Sequence, residues 1–419
     1  MKWTSANEFL SAMYYRVFYQ ITLCNEFIRE TTDAKLASRG LSGDANIKAY
    51  RAEARFMRAL SYWHALDMYA NPPFVVETDP LGAFLPPQTN RNDLFAYVEK
   101  ELKDVETLLA DPRTNEYGRA DKAAAWTVLA KLYLNAEVYT GTSRATDCIT
   151  YCNKILGAGY TLEPKYENLF KIGNNLSKEV IFAVRFDGTR TKSYGGMTYL
   201  IHAPVGGSMK PSDFGINGGW GGLRTTKEYV SLFNDASQKI DASDSRVMFW
   251  TDGQKLEIDD IGDFTNGYAI AKYKNVDQNG KAGSDPNGDF PDTDFPMFRL
   301  ADVQLMYAEA VLRGGTGGTQ AQALAYVNGI RQRAYKTTRP ALATITLDDI
   351  LNERGRELVW EMHRRTDLIR FKKFTTAAYL WTWKGGTKTG VAVSDNLNVF
   401  PIPSADLIAN PNLKQNTGY

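Results

Sequence analysis

The sequence predicts a mainly α-helical protein: a scaffold of tetratricopeptide-like helix pairs that carries a loop-rich insertion with a few short strands. Apolar residues recur at helical spacing through residues 1–185 and again through 297–374. Residues 186–296 lose that spacing and hold 16 of the chain's 34 glycines, interleaved with aromatic residues. Residues 375–419 form a loop and an extended tail. We therefore expect a single domain over residues 1–419, with these four segments as its parts.

Composition and charge exclude several classes of protein. The 419 residues are 43% hydrophobic and include 49 Lys or Arg against 48 Asp or Glu, for a net charge of +1. A protein that neutralises nucleic-acid phosphates normally shows a basic excess, and so does a polybasic membrane anchor. No stretch approaches the roughly 18 consecutive apolar residues of a membrane-spanning helix. We therefore expect no nucleic-acid partner and no membrane span.

Residues that usually perform catalysis or bind metals are scarce. The chain has three cysteines and three histidines, and none stands at the spacing of a zinc site. Cys24, Cys148 and Cys152 are predicted to be small buried hydrophobic residues. The glycine motifs of serine hydrolases, P-loop nucleotidases and dinucleotide-binding enzymes are absent. The sequence therefore predicts no catalytic residue.

Apolar stripes and their end signals predict the helices of the scaffold. In the N-terminal half the stripes run through residues 14–28, 49–69 and 121–139. The second of these ends at Asn71-Pro72-Pro73, because proline cannot continue the helical hydrogen-bond ladder. Four residues of the third stripe have the spacing of a tetratricopeptide repeat: Trp126, Leu129, Ala130 and Tyr133. A further helix pair is predicted over residues 299–312 and 319–334.

A helix is also predicted over Ile350–Phe371, with Glu353, Glu357 and Glu361 on one face. Like charges at this spacing repel one another, and nearby arginines can compensate them. The nearby arginines are Arg354, Arg356, Arg364, Arg365 and Arg370. A glycoside hydrolase would use two such carboxylates as an acid/base pair. The alternative is a buried ion-pair network, which we favour because carboxylates held ionised by arginines are poor general acids.

The insertion holds the candidate ligand-binding residues. Sugars present flat faces of C–H groups, on which an exposed aromatic ring stacks, and a rim of hydroxyl groups, which polar side chains bind. The segment Gly218–Arg224 surrounds Trp220 with four glycines, and Arg224 is near enough to bind the same ligand. Packing of Trp220 into the core is the open alternative. Tyr194 and Tyr199, on either side of Gly195-Gly196, are further candidates.

One acidic cluster raises the alternative of a structural calcium ion. Oxygen-bearing side chains alternate along it, as calcium loops require. These residues are Asp285, Asn287, Asp289, Asp292 and Asp294. Phe290 replaces the glycine that an EF-hand needs, and no helices are predicted on either side. A solvated acidic loop is therefore the default interpretation.

Four segments together resemble the SusD/RagB family of outer-membrane nutrient-binding lipoproteins. They are AEARFMRALSYWHALDMYANPPFV (Ala52–Val75), FRLADVQLMYAEAVLRGG (Phe298–Gly315) with VNGIRQRA (Val327–Ala334), ILNERGRELVWEMHRRTDLIRF (Ile350–Phe371) and VFPIPSADLIANPNLKQNTGY (Val399–Tyr419). The resemblance runs from about Tyr14 to Tyr419. It implies a SusD-like fold of four tetratricopeptide-like helix pairs with a loop-rich region packed on them.

The resemblance also implies a function. Members of this family are binding proteins, not enzymes. They are attached by a lipid to the cell surface of Bacteroidota and act as the lid of a SusC-type TonB-dependent transporter. The lid captures an oligosaccharide, or in some members a peptide, and delivers it to the transporter. Some members hold a structural calcium ion. A helical glycoside hydrolase and a cytosolic tetratricopeptide scaffold are less favoured alternatives.

In one respect the sequence departs from the family's pattern. No lipobox and no cysteine for lipidation precede the first helix. We therefore expect this chain to lack the family's N-terminal segment, with its opening helix and part of the usual ligand face. Early residues contribute to the ligand face in the family, so the resemblance makes Trp3 a further candidate for ligand binding.

Overall fold

The structure is a computed structural model that describes residues 1, 3–336 and 339–419. Its helices follow the predicted stripes closely. They are α1 (Glu8–Glu30), α2 (Asp33–Ser38), α3 (Ala45–Tyr69), α4 (Arg91–Glu106), α5 (Lys122–Leu134), α6 (Ala136–Thr140), α7 (Ala145–Leu156), α8 (Met197–His202), α9 (Lys227–Val230), α10 (Leu300–Leu312), α11 (Gln320–Tyr335), α12 (Leu347–Glu357), α13 (Arg364–Arg370) and α14 (Ser404–Ala409). Among the described residues, no helix is long and apolar enough to cross a membrane.

The described residues also contain four short strands. They are β1 (Val180–Val184), β2 (Phe249–Trp250), β3 (Ala269–Ile270) and β4 (Phe295–Arg299). β1 pairs antiparallel with β4, and β2 pairs antiparallel with β3. Because β1 and β4 are neighbours, the long insertion between them leaves and re-enters the scaffold at one place. The prediction of a mainly helical fold with a few short strands is confirmed.

The scaffold is a row of helices that share one apolar core. Helix α1 packs on α3, α3 on α4, α4 on α5, α5 on α7, α7 on α10, and α10 on α11. Small residues such as Ala130 and Ala145 are buried in this core, where they let helix backbones approach closely. Cys24, Cys148 and Cys152 are buried and unpaired, as predicted.

The insertion shares a second apolar core with the segment that precedes it. The buried members come from residues 166–170, from β1, β3 and β4, from α8 and from the loops after α8; examples are Phe170, Ile201, Phe214 and Tyr273. Little of this region is regular helix or strand, so its backbone depends on loop hydrogen bonds for its shape.

A buried ion-pair network attaches the insertion to the scaffold. Arg246, from the insertion, donates from Nη1 to Oε1 of Glu353 at 2.6 Å and to Oε2 of Glu357 at 3.1 Å. Lys272, also from the insertion, donates from Nζ to Oε1 of Glu361 at 2.6 Å. All five of these side chains are at most 1% exposed. The predicted ion-pair network at the three glutamates therefore exists, and it is fully buried.

Arg299 is the centre of this network. Its guanidinium donates to Oε1 of Glu179 at 2.7 Å, to Oε1 of Glu357 at 2.6 Å and to Oε2 of Glu361 at 2.6 Å. Arg333 of α11 binds Glu179 and Glu357 from the other side. The network therefore joins the start of β1, the end of β4 and helices α11 and α12.

Burial and charge act in opposite directions on these carboxyl groups. Burial by itself would raise the pKa of Glu353, but Arg246 and Arg356 outweigh it and lower the pKa to about 2. Burial likewise opposes ionisation of Glu361, and Arg299 and Lys272 lower its pKa overall. These glutamates therefore stay ionised at neutral pH and are poor proton donors.

The structure corrects two details of the sequence-based expectation. The predicted helix over residues 350–371 is broken between α12 and α13, where Trp360 and Met362 have positive φ values of 57° and 66°. Glu361 thus lies in the break and not on a continuous face. Of the predicted arginine partners, only Arg356 binds one of the three glutamates, Glu353, at 2.5 Å. The main partners come from distant segments that no local spacing identifies.

Three of the other predicted arginines bind different acids, among them Arg365, which binds Asp67 at 2.8 Å, whereas Arg364 donates to the backbone carbonyl of Leu351 at 2.8 Å. Arg354 binds Asp302 at 2.8 Å and Asp367 at 2.9 Å, and Arg370 binds Glu309 at 2.6 Å. Asp302 and Glu309 lie on the buried helix α10, so these ion pairs also lie in the interior.

Glu353→Gln should lower the free energy of unfolding by about 3–5 kcal/mol, because Arg356 would lose its carboxylate partner and Arg246 one of its three, in a largely buried site. Glu257→Gln is the matched control. Glu257 is half exposed and pairs with exposed Lys227, so its loss should cost less than about 1 kcal/mol. Denaturant unfolding of both variants measures the difference, and equal costs would contradict a structural role for the network.

Stability should fall as the pH drops from 6.5 to 4. Burial lowers the pKa of His64 and of His363 to about 4, from an ordinary value of 6.5. In this range the unfolded chain binds more protons than the folded one, which favours unfolding. The double variant His64→Gln/His363→Gln should show a shallower fall of Tm between pH 6.5 and 4. An unchanged slope would mean that other groups cause the acid sensitivity.

Candidate ligand-binding site

Trp220 is exposed, not packed in the core. Its side chain is 45% accessible to solvent. The loop that carries it runs along the end of α8 and is held there by backbone hydrogen bonds. The N–H of Trp220 donates to the carbonyl of His202 at 2.9 Å, and the N–H of Gly221 donates to the carbonyl of Val205 at 2.9 Å. A fixed backbone thus presents the indole to solvent.

Gly219 makes this close approach of two chain segments possible. A Cβ atom at this position would lie 2.1 Å from the carbonyl oxygen of Val205, which is an impossible contact. At the preceding Gly218 a Cβ atom would meet nothing within 4 Å. A glycine is therefore required at position 219, because this residue packs directly against the segment after α8.

Two rings from α8 stand beside Trp220. Tyr199 and His202 are three residues apart and so share one face of the helix. The ring centroids of Tyr199 and Trp220 are 6.1 Å apart with an interplanar angle of 55°, and Tyr199 is 44% exposed. The imidazole of His202 is buried and stacks on the indole at 5.2 Å and 25°. Trp220 and Tyr199 thus form an exposed, tilted pair of rings supported from below by a histidine.

Polar groups lie next to this ring pair. The side chain of Asn217 is exposed and donates from Nδ2 to Oδ1 of Asp289 at 2.6 Å. Sequence reasoning missed His202 and Asn217 as members of the site. Asn217 stands only three residues before Trp220, and this proximity was the one available signal. No comparable signal pointed to His202, because its contact with Trp220 depends on how the loop folds back onto α8.

Tyr194, the most exposed of the candidates at 66%, lies apart from the stacked pair. Its ring contacts Phe290, with centroids 5.4 Å apart. Phe290 directly follows Asp289, whose backbone carbonyl lies 3.0 Å from Nε2 of His202. Tyr194 therefore flanks the same loop that borders the ring pair, and it extends the aromatic surface on that side.

Arg224 closes a loop in this structure, a role that its sequence context did not indicate. Its guanidinium donates to the backbone carbonyls of Ile261 at 2.6 Å and Asn266 at 2.9 Å, and also to that of Asp263. These bonds use both terminal nitrogens to close the loop over residues 261–266. Arg224 is thus a loop-forming residue, and we leave it out of the proposed ligand contacts.

The acidic cluster also organises loops. Asp285 accepts from the backbone N–H groups of Asp289 and Phe290, each at 3.0 Å. Asp292 accepts from Gly188 at 2.6 Å and Ser284 at 2.5 Å. No group of three or more acidic, histidine or cysteine side chains among the described residues is arranged to hold a metal ion. Calcium was the alternative interpretation of this cluster, and in this structure its Asp285 and Asp292 carboxylates bind protein N–H groups.

Trp3 packs against the C-terminal tail. Its indole N–H donates to the hydroxyl of Tyr419 at 2.7 Å, and its ring packs edge-on against Phe400 with centroids 5.2 Å apart. These contacts join the two ends of the chain. Trp3 shares no ring contact with the Trp220 pair, so the structure does not bring these two predicted site residues together.

The architecture, a row of helix pairs with a loop-rich insertion that exposes aromatic rings, is that of SusD-like proteins. A SusD superfamily protein from Parabacteroides distasonis has a TM-score of 0.76 and 23% identity, covering 99% of this chain and 87% of that one. Surface glycan-binding protein A from Bacteroides thetaiotaomicron, solved in complex with laminarihexaose, has a TM-score of 0.72 and 21% identity, covering 96% and 85%.

Sequence comparison identifies the family. The profile of the SusD family matches residues 247–419. The starch-binding protein SusD of Bacteroides thetaiotaomicron is 34% identical over the whole of this chain and 80% of its own length. SusD-like protein P25 of Formosa agariphila is 26% identical over 97% of this chain and 78% of its own length. The chain belongs to the SusD/RagB family.

Gly219→Ala should disturb the Trp220 loop, because the new methyl group would strike the Val205 carbonyl. We expect a fall in Tm and a changed tryptophan emission spectrum. Gly218→Ala is the control at the neighbouring position, which has open space, and it should change neither. If both variants behaved like the native chain, the packing of this loop would differ from that described.

Proposed function

We propose that this protein is a glycan-binding protein and that Trp220 and Tyr199 form the platform on which a sugar chain stacks. The observation that carries the proposal is the exposure of two adjacent rings, each more than 40% accessible, on a backbone held in place by hydrogen bonds. Exposed aromatic rings are costly in water unless a ligand covers them, and C–H faces of sugars suit them.

The polar rim of the site supports the same conclusion. A stacked sugar directs its hydroxyl groups outward at the edge of the ring, where Asn217 and Asp289 lie together. An amide and a carboxylate offer both donors and acceptors, which hydroxyl groups need. These two side chains would bind hydroxyl groups of the sugar chain that stacks on the rings.

Family membership and the named relatives support a binding function and no catalysis. One relative is named as a starch-binding protein, and a structural neighbour of the same fold holds laminarihexaose. Within this chain, the glutamates that a glycoside hydrolase would need are buried and paired with arginines. Each is at most 1% exposed, so none can reach a glycosidic bond.

We further propose the partner and location that the family resemblance implies. The protein would act at the outer face of the outer membrane, attached by a lipid, as the lid of a SusC-type TonB-dependent transporter. The bound oligosaccharide would then pass to that transporter. Co-purification of the full-length protein with the product of an adjacent transporter gene tests this assignment, and its absence from the membrane fraction would contradict it.

Trp220→Ala and Tyr199→Ala should each weaken glycan binding by about 1–3 kcal/mol, or roughly 5- to 150-fold, because each removes a stacking face. Calorimetry with a panel of oligosaccharides measures the effect. Tyr19→Ala is the control. Tyr19 is also exposed, at 61%, but lies on α1, and its loss should leave the affinity unchanged. If all three variants bound glycans as tightly as the native chain, the ring pair would not be part of the binding site.

The same panel should include peptides, because peptide capture is the alternative within the family. A peptide ligand would depend on backbone hydrogen bonds in a groove and less on a ring platform. Binding of peptides with no binding of glycans would therefore replace the present proposal. Release of reducing ends from any glycan in the panel would revive the hydrolase alternative.

A further inference from the structure

The ring of Phe264 lies against the loop that carries Trp220. A Cβ atom at Gly221 would lie 3.7 Å from Cγ of Phe264, which is an ordinary packing distance. A Cβ atom at Gly206 would lie 2.9 Å from Cε1 of Phe264 and 2.9 Å from Cα of Gly221. Phe264 therefore packs against two chain segments at once: the one that follows α8 and the one that carries Trp220.

This packing connects the Trp220 loop to the second apolar core. Phe264 is partly buried and packs against that core. Glycine at position 206 leaves room for the ring, because any side chain there would strike both the ring and the backbone of residue 221. A ring packed this closely on glycine backbone has little freedom to move, so it limits the movement of the residue next to Trp220.

The loop of Phe264 is in turn held by the segment that carries Trp220. Arg224 lies four residues after Trp220. Its guanidinium donates to the backbone carbonyls of Ile261 at 2.6 Å and Asn266 at 2.9 Å, one on each side of Phe264 in the chain. A planar guanidinium carries several N–H donors in fixed directions, so it can bind several carbonyls and define the shape of a loop. The two segments therefore hold each other, one through the arginine and the other through the ring.

We propose that Phe264 and Arg224 are positioning residues for the ring platform. Arg224 shapes the loop over residues 261–266, and this loop sets Phe264 against the residue next to Trp220. Without the ring the loop would lose an apolar support, and the indole would adopt several orientations. A ligand would then have to order the indole on binding, which lowers the affinity. This inference rests on the proposed function of the ring pair and adds a third loop to the site.

Nuclear magnetic resonance of ¹⁹F in protein labelled with 5-fluorotryptophan tests the support without any ligand. The chain has eight tryptophans, and Trp220→Phe identifies the Trp220 signal by removing it. In Phe264→Ala and in Arg224→Gln we expect this signal to shift and broaden, because the indole samples several orientations. Phe264→Tyr keeps the ring and should keep the native signal. A native Trp220 signal in both Phe264→Ala and Arg224→Gln would overturn the proposal.

Calorimetry measures the consequence for binding. The probe is laminarihexaose or a starch oligosaccharide of equal length, whichever the native chain binds. Phe264→Ala and Arg224→Gln should each weaken binding about three- to tenfold, the cost of ordering one side chain. Because both act through one loop, the double variant should bind about as weakly as the weaker single variant. A lower affinity with a native Trp220 signal would mean that Phe264 contacts the ligand directly and would contradict positioning.

A matched variant separates positioning from a general loss of stability. Phe233 is buried in the same insertion, and its ring contacts Tyr229 and Phe249. Phe233→Leu and Phe264→Leu should both lower Tm, but only Phe264→Leu should lower the affinity and change the Trp220 signal. Equal losses of affinity in the two variants would mean that destabilisation of the insertion causes the effect, and the proposal would be wrong.

The measurements also distinguish failure of this inference from failure of the proposed function. If Phe264→Ala changes the Trp220 signal but the native chain binds no glycan, the support is real and the glycan assignment is wrong. If a glycan binds through Trp220 and the signal is native in both variants, the platform is real and the support is wrong.

Discussion

The buried network around Arg299 is the constraint on which the rest of this structure depends. It places Arg299, Arg246 and Lys272 against Glu357 and Glu361, with every side chain at most 1% exposed. Uncompensated charges in such a place would be strongly unfavourable, so the pairs form together or not at all. Because the cations come from both the scaffold and the insertion, the network sets how these two parts meet.

This attachment explains how a region with little regular structure presents a defined surface. The insertion begins and ends at the paired strands β1 and β4. Between them its loops are closed by side chains that bind backbone groups, as Arg224 binds carbonyls and Asp285 binds N–H groups. Polar residues that look like candidate ligand contacts in the sequence thus support the loops, and the exposed rings remain as the proposed contact surface.

The division between support and surface bears on function. Because Trp220 and Tyr199 are already held in place, these side chains would lose less conformational entropy when the proposed ligand stacks on them. The glutamates of α12 do not form an exposed acid/base pair, because their carboxylates are buried in ion pairs that stabilise the fold.

The sequence by itself determined the helices, the family and the exposed tryptophan candidate, because helical spacing, glycine clusters and ordered motifs are local signals. It also indicated that Glu353 and Glu357 take part in ion pairs. Only the tertiary structure decided that Arg246 and Arg299 are their main partners, that Arg224 closes a loop, and that His202 lies beneath Trp220. Those contacts join residues far apart in the chain. The spacing of residues within one segment carries no information about which distant segment will pack against it.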